Sequence, residues 1–167
     1  MSEKKAVLDI CCGGRMMWFN KSNPLAIYTD KRKETVSNWN YDRKLEVCPD
    51  VICDFTELPF VNDSFHLVVF DPPHIKNLGK NSRTAGMYGK LSGDWKTDIA
   101  GGFSECFRVL KHYGTLIFKW NEYDFKVSEI LRLTPYKPLF GHQSGKRSLT
   151  HWIAFMKDKN NITRHSR

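Results

Sequence analysis

Long apolar runs are missing from this sequence, and no stretch approaches the roughly 18 consecutive apolar residues that a membrane-spanning helix requires. The apolar segment of a secretory signal peptide is missing too, because residues 1–5 lead directly into a short strand pattern, and this favours a cytoplasmic location. Internal repeats and low-complexity tracts are not found either. The 167 residues are therefore predicted to form one domain over residues 1–157, followed by a basic tail over residues 158–167.

Cysteine is present, but the spacings that would give it a structural role are missing. The five cysteines are Cys11, Cys12, Cys48, Cys53 and Cys106. None forms the C-x-x-C pair that is common in zinc sites, and an odd number argues against a disulfide framework. The sequence therefore predicts free thiols in a reducing compartment and no metal site.

Acidic side chains are in the minority, with 18 against 26 lysines and arginines, so that the net charge is +8. A basic balance of this size favours a polyanionic partner, and nucleic acid is the first candidate. The composition is 41% apolar and 26% charged, which is typical of a globular domain and not of a disordered chain.

Seven short segments have the composition of β-strands, at residues 6–10, 25–30, 51–55, 67–70, 114–120, 136–141 and 149–157. The clearest helix is predicted from the N-cap residue Asp94 to Tyr113, with Gly114 as its end, and a second over residues 124–133. The pair Gly101-Gly102 interrupts the first helix and predicts close packing or a bend. Alternating strands and helices predict an α/β fold with a doubly wound, Rossmann-like, seven-stranded sheet. The sheet should be mostly parallel, because only the last two strands are too close in sequence for a helical crossover and should form an antiparallel hairpin.

The most informative segment is Asp71-Pro72-Pro73-His74, which follows the apolar run Leu67-Val68-Val69-Phe70. Such a run is typical of a buried parallel strand. Because the prolines have no N–H group, the turn offers hydrogen-bond acceptors, namely the Asp71 carboxylate and nearby carbonyls. Ligands of open α/β sheets bind at the carboxyl ends of the strands. An acceptor-only turn at that edge fits a substrate with a planar amine, such as adenine.

Three other predicted strands carry an acidic residue at or near their carboxyl ends. Asp9 precedes the small-residue loop Cys11-Cys12-Gly13-Gly14 and suits a cationic ligand group, and Asp30 follows at about the 20-residue spacing of a ribose acceptor. Asp54 could accept from an adenine amine, with Phe55 against the adenine face. Clustered carboxylates make a poor pyrophosphate site. They suit S-adenosylmethionine (SAM), which carries an ammonium, a sulfonium and ribose hydroxyls but no phosphate.

These segments resemble, in the same order, the motifs of class I SAM-dependent methyltransferases. The predicted strands are similar to the seven-stranded sheet of that family, including its antiparallel final hairpin. The turn at residues 71–74 resembles the D-P-P-[aromatic] motif of amino-methyltransferases that act on N6 of adenine, and the chain resembles the small enzymes of this type found on phages and mobile elements.

The resemblance implies SAM as cofactor, and the residues it implies for SAM binding are Asp9, Cys11, Gly13, Asp30, Asp54 and Phe55. It implies a catalytic turn in which Asp71 and the Pro72 carbonyl bind the target amine, beside Pro73 and His74. Two positions depart from the family pattern. Cys11 stands where the first glycine of the loop is usual, and His74 stands where Tyr, Phe or Trp is usual; an imidazole can both stack and form hydrogen bonds.

The segment that follows the catalytic turn, residues 75–93, is predicted to overhang the target pocket. Its basic and aromatic residues suit a nucleic-acid strand, and they are Lys76, Lys80, Arg83, Tyr88 and Lys90. Lys119 or Trp120, at the end of the neighbouring strand, is predicted to border the same pocket. The leading prediction is a SAM-dependent methyltransferase for adenine N6 in DNA or RNA. The alternatives are a methyltransferase for a small-molecule or protein amine, and a nucleic-acid-binding module that retains the fold without catalysis.

Overall fold

The computed structural model describes residues 5–37, 44–76, 85, 89–91, 93–145 and 148–162. Its strands are β1 (Val7–Asp9), β2 (Ala26–Asp30), β3 (Glu34–Ser37), β4 (Lys44–Val47), β5 (Val51–Ile52), β6 (Phe65–Phe70), β7 (Leu110–Asn121), β8 (Phe140–Gln143) and β9 (Thr150–Met156). Its helices are α1 (Trp95–Val109) and α2 (Val127–Ile130), and a 3₁₀ turn, Leu131–Leu133, follows α2. No helix within these described ranges is long and apolar enough to cross a membrane.

The main sheet has seven strands in the order β5-β2-β1-β6-β7-β9-β8. The first five strands are parallel, while β9 runs antiparallel to β7 and β8 antiparallel to β9. The predicted α/β sheet with an antiparallel C-terminal pair is therefore confirmed. From β1 the chain moves outward to β2 and β5 and then returns to the other side of β1 as β6. The switch point of the topology, where α/β folds bind ligands, consequently lies between β1 and β6.

Helix α1 packs on one face of this sheet. Its buried residues recur at helical spacing and include Ile99, Gly102, Phe103 and Cys106. A Cβ atom added to Gly102 would lie 2.5 Å from Phe70 Cζ and 2.8 Å from Phe55 Cδ2. The close packing predicted for the glycine pair is therefore confirmed at Gly102, because any larger side chain would overlap these rings.

The C-terminal boundary predicted for the first helix is wrong by four residues. The helix ends at Val109, because Leu110 has extended backbone angles and pairs with Phe65 in the sheet. Gly114 lies inside β7, where an added Cβ would be 2.8 Å from the Lys111 carbonyl oxygen, so a tight backbone bend explains this glycine. Asp94 does precede α1, but its side chain makes no capping hydrogen bond.

Other predicted elements are shorter or shifted. The strand predicted at residues 51–55 contains only Val51–Ile52, and the one predicted at residues 136–141 is Phe140–Gln143. The helix predicted over residues 124–133 is a single turn of α-helix followed by the 3₁₀ turn. Pro138 interrupts the segment at residues 136–141, and the turn made by Asp54 with Thr56 ends the strand that begins at Val51.

The crossovers on the β1–β2–β5 side contain turns and a hairpin instead of the expected helices. Between β1 and β2, the side chains of Asn20 and Asn23 accept hydrogen bonds from backbone N–H groups two residues on, which competes with helix formation. Arg15 holds this connection in place, because its guanidinium donates to the Cys48 carbonyl at 2.7 Å and lies 3.7 Å from the Tyr28 ring centroid. Between β2 and β5, strands β3 and β4 pair as a separate antiparallel ribbon.

Candidate functional site

A cavity of about 320 Å³ lies at the carboxyl ends of the parallel strands, on both sides of the β1/β6 switch point. Each parallel strand contributes to its lining a residue that lies in the strand or directly after it. The lining includes Ile10, Cys11, Gly13, Asp30, Phe55, Asp71, Pro73, Lys90 and Lys119. The structure thus brings most of the predicted cofactor and catalytic residues together at one edge of the sheet.

Asp30 ends β2 and is the carboxylate on the cofactor side of the cavity. Its Oδ2 accepts a hydrogen bond from the Gly13 N–H at 3.0 Å, and its Oδ1 accepts one from the Arg32 N–H at 2.9 Å. Gly13 has a φ of 47°, a left-handed conformation in which glycine is favoured. Because a carboxylate has about four lone-pair positions, Asp30 retains capacity to accept from ligand hydroxyls.

Asp9 is completely buried and does not line the cavity. Its Oδ2 accepts a hydrogen bond from the Trp18 Nε1–H at 2.8 Å, and its Oδ1 is 3.4 Å from the Cys11 N–H that donates to it. Burial raises the pKa of Asp9 from 3.8 to about 7, and the Trp18 hydrogen bond opposes this shift. In this structure Asp9 therefore supports the loop beneath the cavity, and its predicted contact with the cofactor stays a prediction.

The third predicted cofactor acid, Asp54, is exposed and also lies outside the lining. Its Oδ1 accepts hydrogen bonds from the Thr56 N–H at 3.0 Å and the Thr56 hydroxyl at 2.8 Å, so it stabilises the turn after β5. Its neighbour Phe55 does line the cavity, and its ring packs 5.4 Å from the Phe70 ring centroid. Phe55 therefore forms part of the cavity wall and its contact with adenine stays a prediction, whereas the Asp54 carboxylate is hydrogen-bonded within its own turn.

Cys11 lines the cavity at the position where the predicted loop departs from glycine. Burial raises the pKa of its thiol well above 9.0, and the nearby Asp30 and Asp9 carboxylates act in the same direction. The Cys11 thiol is therefore protonated at neutral pH and acts as a small wall residue instead of a nucleophile. All five cysteines of the chain are free.

Asp71 directly follows β6, and its carboxylate forms an ion pair with Lys119 of the neighbouring strand β7. The Lys119 Nζ donates to Asp71 Oδ2 at 2.5 Å, and both side chains are mostly buried. The register explains this contact, because Phe70 pairs with Phe118 and the next residues of the two strands are therefore adjacent. The sequence predicted that Lys119 or Trp120 borders the target pocket. The ion pair of Lys119 with Asp71 could be recognised only from the pairing of β6 with β7.

The two prolines and His74 hold the chain close to the mouth of the cavity. Pro72 is buried and Pro73 contributes to the lining. The His74 ring lies edge-on to Trp120 with 6.1 Å between the ring centroids. Burial lowers the pKa of His74 below 6.5, against the opposing charge of Asp71. His74 is consequently a neutral imidazole at physiological pH, suited to stacking or to a single hydrogen bond.

Two of the five predicted substrate-binding residues lie in described parts of the chain. Lys90 lines the cavity. Lys76 is exposed and does not line it, while its backbone N–H donates to Asp124 Oδ2 at 2.7 Å. The base of the segment is closed by a hydrogen bond from the Leu91 N–H to the Ile75 carbonyl at 3.0 Å. The remaining three, Lys80, Arg83 and Tyr88, lie outside the described residues.

No protein-family model matches the sequence, and no curated protein matches it. Solved structures do match. A SAM-dependent methyltransferase from Methanosarcina mazei has a TM-score of 0.59 at 14% identity, with 94% of each chain covered. A TehB-like SAM-dependent methyltransferase from Corynebacterium glutamicum has a TM-score of 0.57 at 14% identity, covering 93% of this chain and 81% of that one.

The chain has the fold of class I SAM-dependent methyltransferases. A third structure with this fold, 1,6-didemethyltoxoflavin-N1-methyltransferase from Burkholderia thailandensis, contains its substrate and S-adenosylhomocysteine. It has a TM-score of 0.53 at 15% identity, and the match covers 91% of this chain and 70% of that one. At these identities the likeness establishes the methyltransferase fold, and the choice of substrate has to come from the site.

Proposed function

We propose that this protein is a SAM-dependent N-methyltransferase that modifies the exocyclic N6 amine of adenine in a nucleic acid. The observation that carries this proposal is the position of Asp71, Pro72 and Pro73. These residues place a carboxylate and a proline-locked turn beside the ligand cavity, at the topological switch point of a methyltransferase fold.

The cavity fits SAM in size and in chemistry. Its volume of about 320 Å³ lies within the range of small-molecule sites. Asp30 would accept from ribose hydroxyls, Ile10 and Phe55 would enclose the adenine ring, and the cation of Lys90 suits a carboxylate. When bound, SAM supplies an electrophilic methyl group on a positively charged sulfur.

The catalytic turn is suited to an amine because the Asp71 carboxylate and the Pro72 carbonyl are hydrogen-bond acceptors. The ion pair with Lys119 orients the Asp71 carboxylate, and a carboxylate engaged through one oxygen can still accept from a second donor. Together with the Pro72 carbonyl, Asp71 would accept hydrogen bonds from the two N–H groups of the amine and favour a tetrahedral nitrogen, whose lone pair can attack the methyl group. The contribution of these residues is positioning and electrostatic stabilisation.

The charge of the protein favours nucleic acid over the alternative substrates. The Burkholderia thailandensis neighbour is named for N1 methylation of 1,6-didemethyltoxoflavin, so the fold alone allows a small-molecule amine. The present chain, however, carries a net charge of +8, which suits a polyanion. Because the amine of a paired adenine is unreachable inside a duplex, the base must be single-stranded or extruded.

The decisive experiment measures methyl transfer from labelled SAM to DNA, RNA, protein and small-molecule pools. Asp71→Asn should lower transfer to nucleic acid by about 100-fold or more, because the charged acceptor is lost, while calorimetry should show nearly unchanged SAM affinity. Asp63→Asn is the matched control, because Asp63 is an exposed carboxylate near the opposite end of β6. Full transfer by the Asp71→Asn protein would contradict the mechanism. Label in the protein or small-molecule pool alone would contradict the substrate, and SAM binding without any transfer would favour the non-catalytic module.

A further inference from the structure

The two faces of the C-terminal half of the sheet are covered differently. On one face, helices α1 and α2 contribute to a core that contains Phe118, Trp120 and Ile153. The opposite face of the same strands carries large aromatic residues that remain accessible, since Trp152 is 36% exposed and Phe140 is 72% exposed. Together, Trp152 and Phe140 form an exposed aromatic patch beside the proposed catalytic edge, and such patches mark contact surfaces.

The strand register shows that the accessible residues form continuous rows across the sheet. Lys119 of β7 pairs with Trp152 of β9, which pairs with His142 of β8. Directly paired residues project from the same face, and Phe140 belongs to the adjacent row on that face, opposite Ala154. We call Phe140, His142 and Trp152 the stacking surface.

The stacking surface is continuous with the proposed catalytic turn. Lys119 lies between them, with its Nζ 2.5 Å from Asp71 Oδ2 and 5.6 Å from the Trp152 ring centroid. Adjacent strands are about 4.8 Å apart, so the row from Asp71 through Lys119 and Trp152 to His142 spans roughly 15 Å. A ligand extended along this row would therefore reach the target pocket without leaving the protein surface.

The chemistry of the surface suits an unpaired nucleic-acid strand. Aromatic rings provide stacking platforms for bases of any identity, and nearby cations follow the phosphates. A second copy of the chain is a poor occupant, because two molecules that each carry a net charge of +8 repel one another. We propose that Phe140, His142 and Trp152 bind the single-stranded nucleotides that flank the target base and lead them to Asp71. This inference rests on the proposed function for the nature of the substrate.

Binding of fluorescent single-stranded DNA and RNA oligonucleotides, measured by anisotropy, tests the stacking surface without any catalytic readout. Trp152→Ala and Phe140→Ala should each weaken binding by about tenfold, which corresponds to about 1.4 kcal/mol. Trp152→Phe keeps an aromatic ring and should stay within about threefold of the parent. The matched control is Phe19→Ala, because Phe19 is an exposed aromatic residue in the β1–β2 connection, outside this face.

A second measurement separates stacking from charge. The slope of log affinity against log salt reports phosphate contacts, so the Trp152→Ala and Phe140→Ala proteins should keep the parent's slope while losing affinity. Parent-like oligonucleotide affinity in both alanine variants would overturn the proposal, and so would a parent that binds no single strand. A dimer in light scattering that Trp152→Ala dissociates would also overturn it, in favour of self-association.

The failure of this inference can be distinguished from failure of the proposed function. The Asp63→Asn protein should retain oligonucleotide binding, because Asp63 lies outside both the stacking surface and the proposed catalytic turn. If that protein and the parent bind the oligonucleotide equally and Trp152→Ala binds it more weakly, the stacking surface is supported even where methyl transfer is not detected. S-Adenosylhomocysteine affinity, measured in the same variants, should stay unchanged and shows that the cofactor side of the fold is intact.

Discussion

Neighbouring glycines of helix α1 provide a sharp test of how the core supports the cavity. Alanine at either position should gain about 1 kcal/mol of helix propensity. At Gly101 the added Cβ would lie 3.3 Å from Thr56 Cγ2, a contact that a small shift relieves. At Gly102 the same atom would lie 2.5 Å from Phe70 Cζ, and overpacking of a core costs about 1–3 kcal/mol.

We therefore expect Gly101→Ala to be neutral or stabilising by up to about 1 kcal/mol, and Gly102→Ala to be destabilising by up to about 2 kcal/mol. The difference between the variants, about 2 kcal/mol, corresponds to about 4–8 °C in melting temperature for a chain of this length. Urea unfolding of both proteins measures it directly. Equal stability of the two variants would refute the packing argument.

The Gly102→Ala substitution should also affect ligand binding. The Phe70 ring is held between Phe103 and Phe118, each with a centroid distance of 5.6 Å, so it has little room to move. Phe55 is only half-buried and lines the cavity, so the added methyl group would displace the Phe55 ring instead. Gly102→Ala should therefore weaken S-adenosylhomocysteine binding several-fold in calorimetry, whereas Gly101→Ala should not. Unchanged affinity in Gly102→Ala would show that Phe55 does not form the cofactor wall.

Two further predictions concern stability and pH. Because the folded-state pKa of Asp9 is raised from 3.8 to about 7, its contribution to stability is fully present below about pH 4 and is lost as the pH rises through 7. Relative to Asp9→Asn, the parent should lose unfolding free energy between those pH values in urea titrations, and a pH-independent difference would be contrary to this. Arg108→Ala should cost about 2–3 kcal/mol, because Arg108 donates to Glu105 and to backbone carbonyls of the β5–β6 connection. Arg108 lowers the pKa of Glu105. The parent should therefore exceed Arg108→Ala in unfolding free energy above the ordinary pKa of Glu105, and this difference should shrink as the pH falls through the lowered pKa. A difference that does not change with pH would argue against this pairing.

The sequence was sufficient where a local pattern determines the position of a backbone. The apolar run Leu67–Phe70 predicted a central parallel strand, and Asp71 lies at its carboxyl end as expected. Likewise, the glycine loop and Asp30 were both predicted at this edge of the sheet, where the Gly13 N–H donates to the Asp30 carboxylate. In both cases the alternation of apolar strands with turn residues decides which residues meet at the edge of the sheet.

The sequence was insufficient where side-chain direction depends on distant contacts. Asp9 and Asp54 were predicted from their positions at strand ends, yet Asp9 is buried against Trp18 and Asp54 is engaged in a turn with Thr56. Position along a strand predicts the edge of the sheet but does not specify which neighbour a carboxylate will bind. The β3–β4 ribbon was missed for a different reason. Its two-residue alternation of polar and apolar side chains was a usable strand signal, but the expected alternation of strands and helices outweighed it.

The order of strands around β1 has a consequence for how the chain folds. Strands β6, β7, β8 and β9 and helix α1 follow one another closely in the sequence, so they can assemble among themselves. Joining β1 to β6, by contrast, pairs Val7 with Leu67 and closes a loop of about 60 residues, at an entropic cost of about 4 kcal/mol. Non-local parallel pairing of this kind is slow, and we expect the β1–β6 junction to form late. Because the cavity spans that junction, a ligand recognises only chains that have completed the last step of folding.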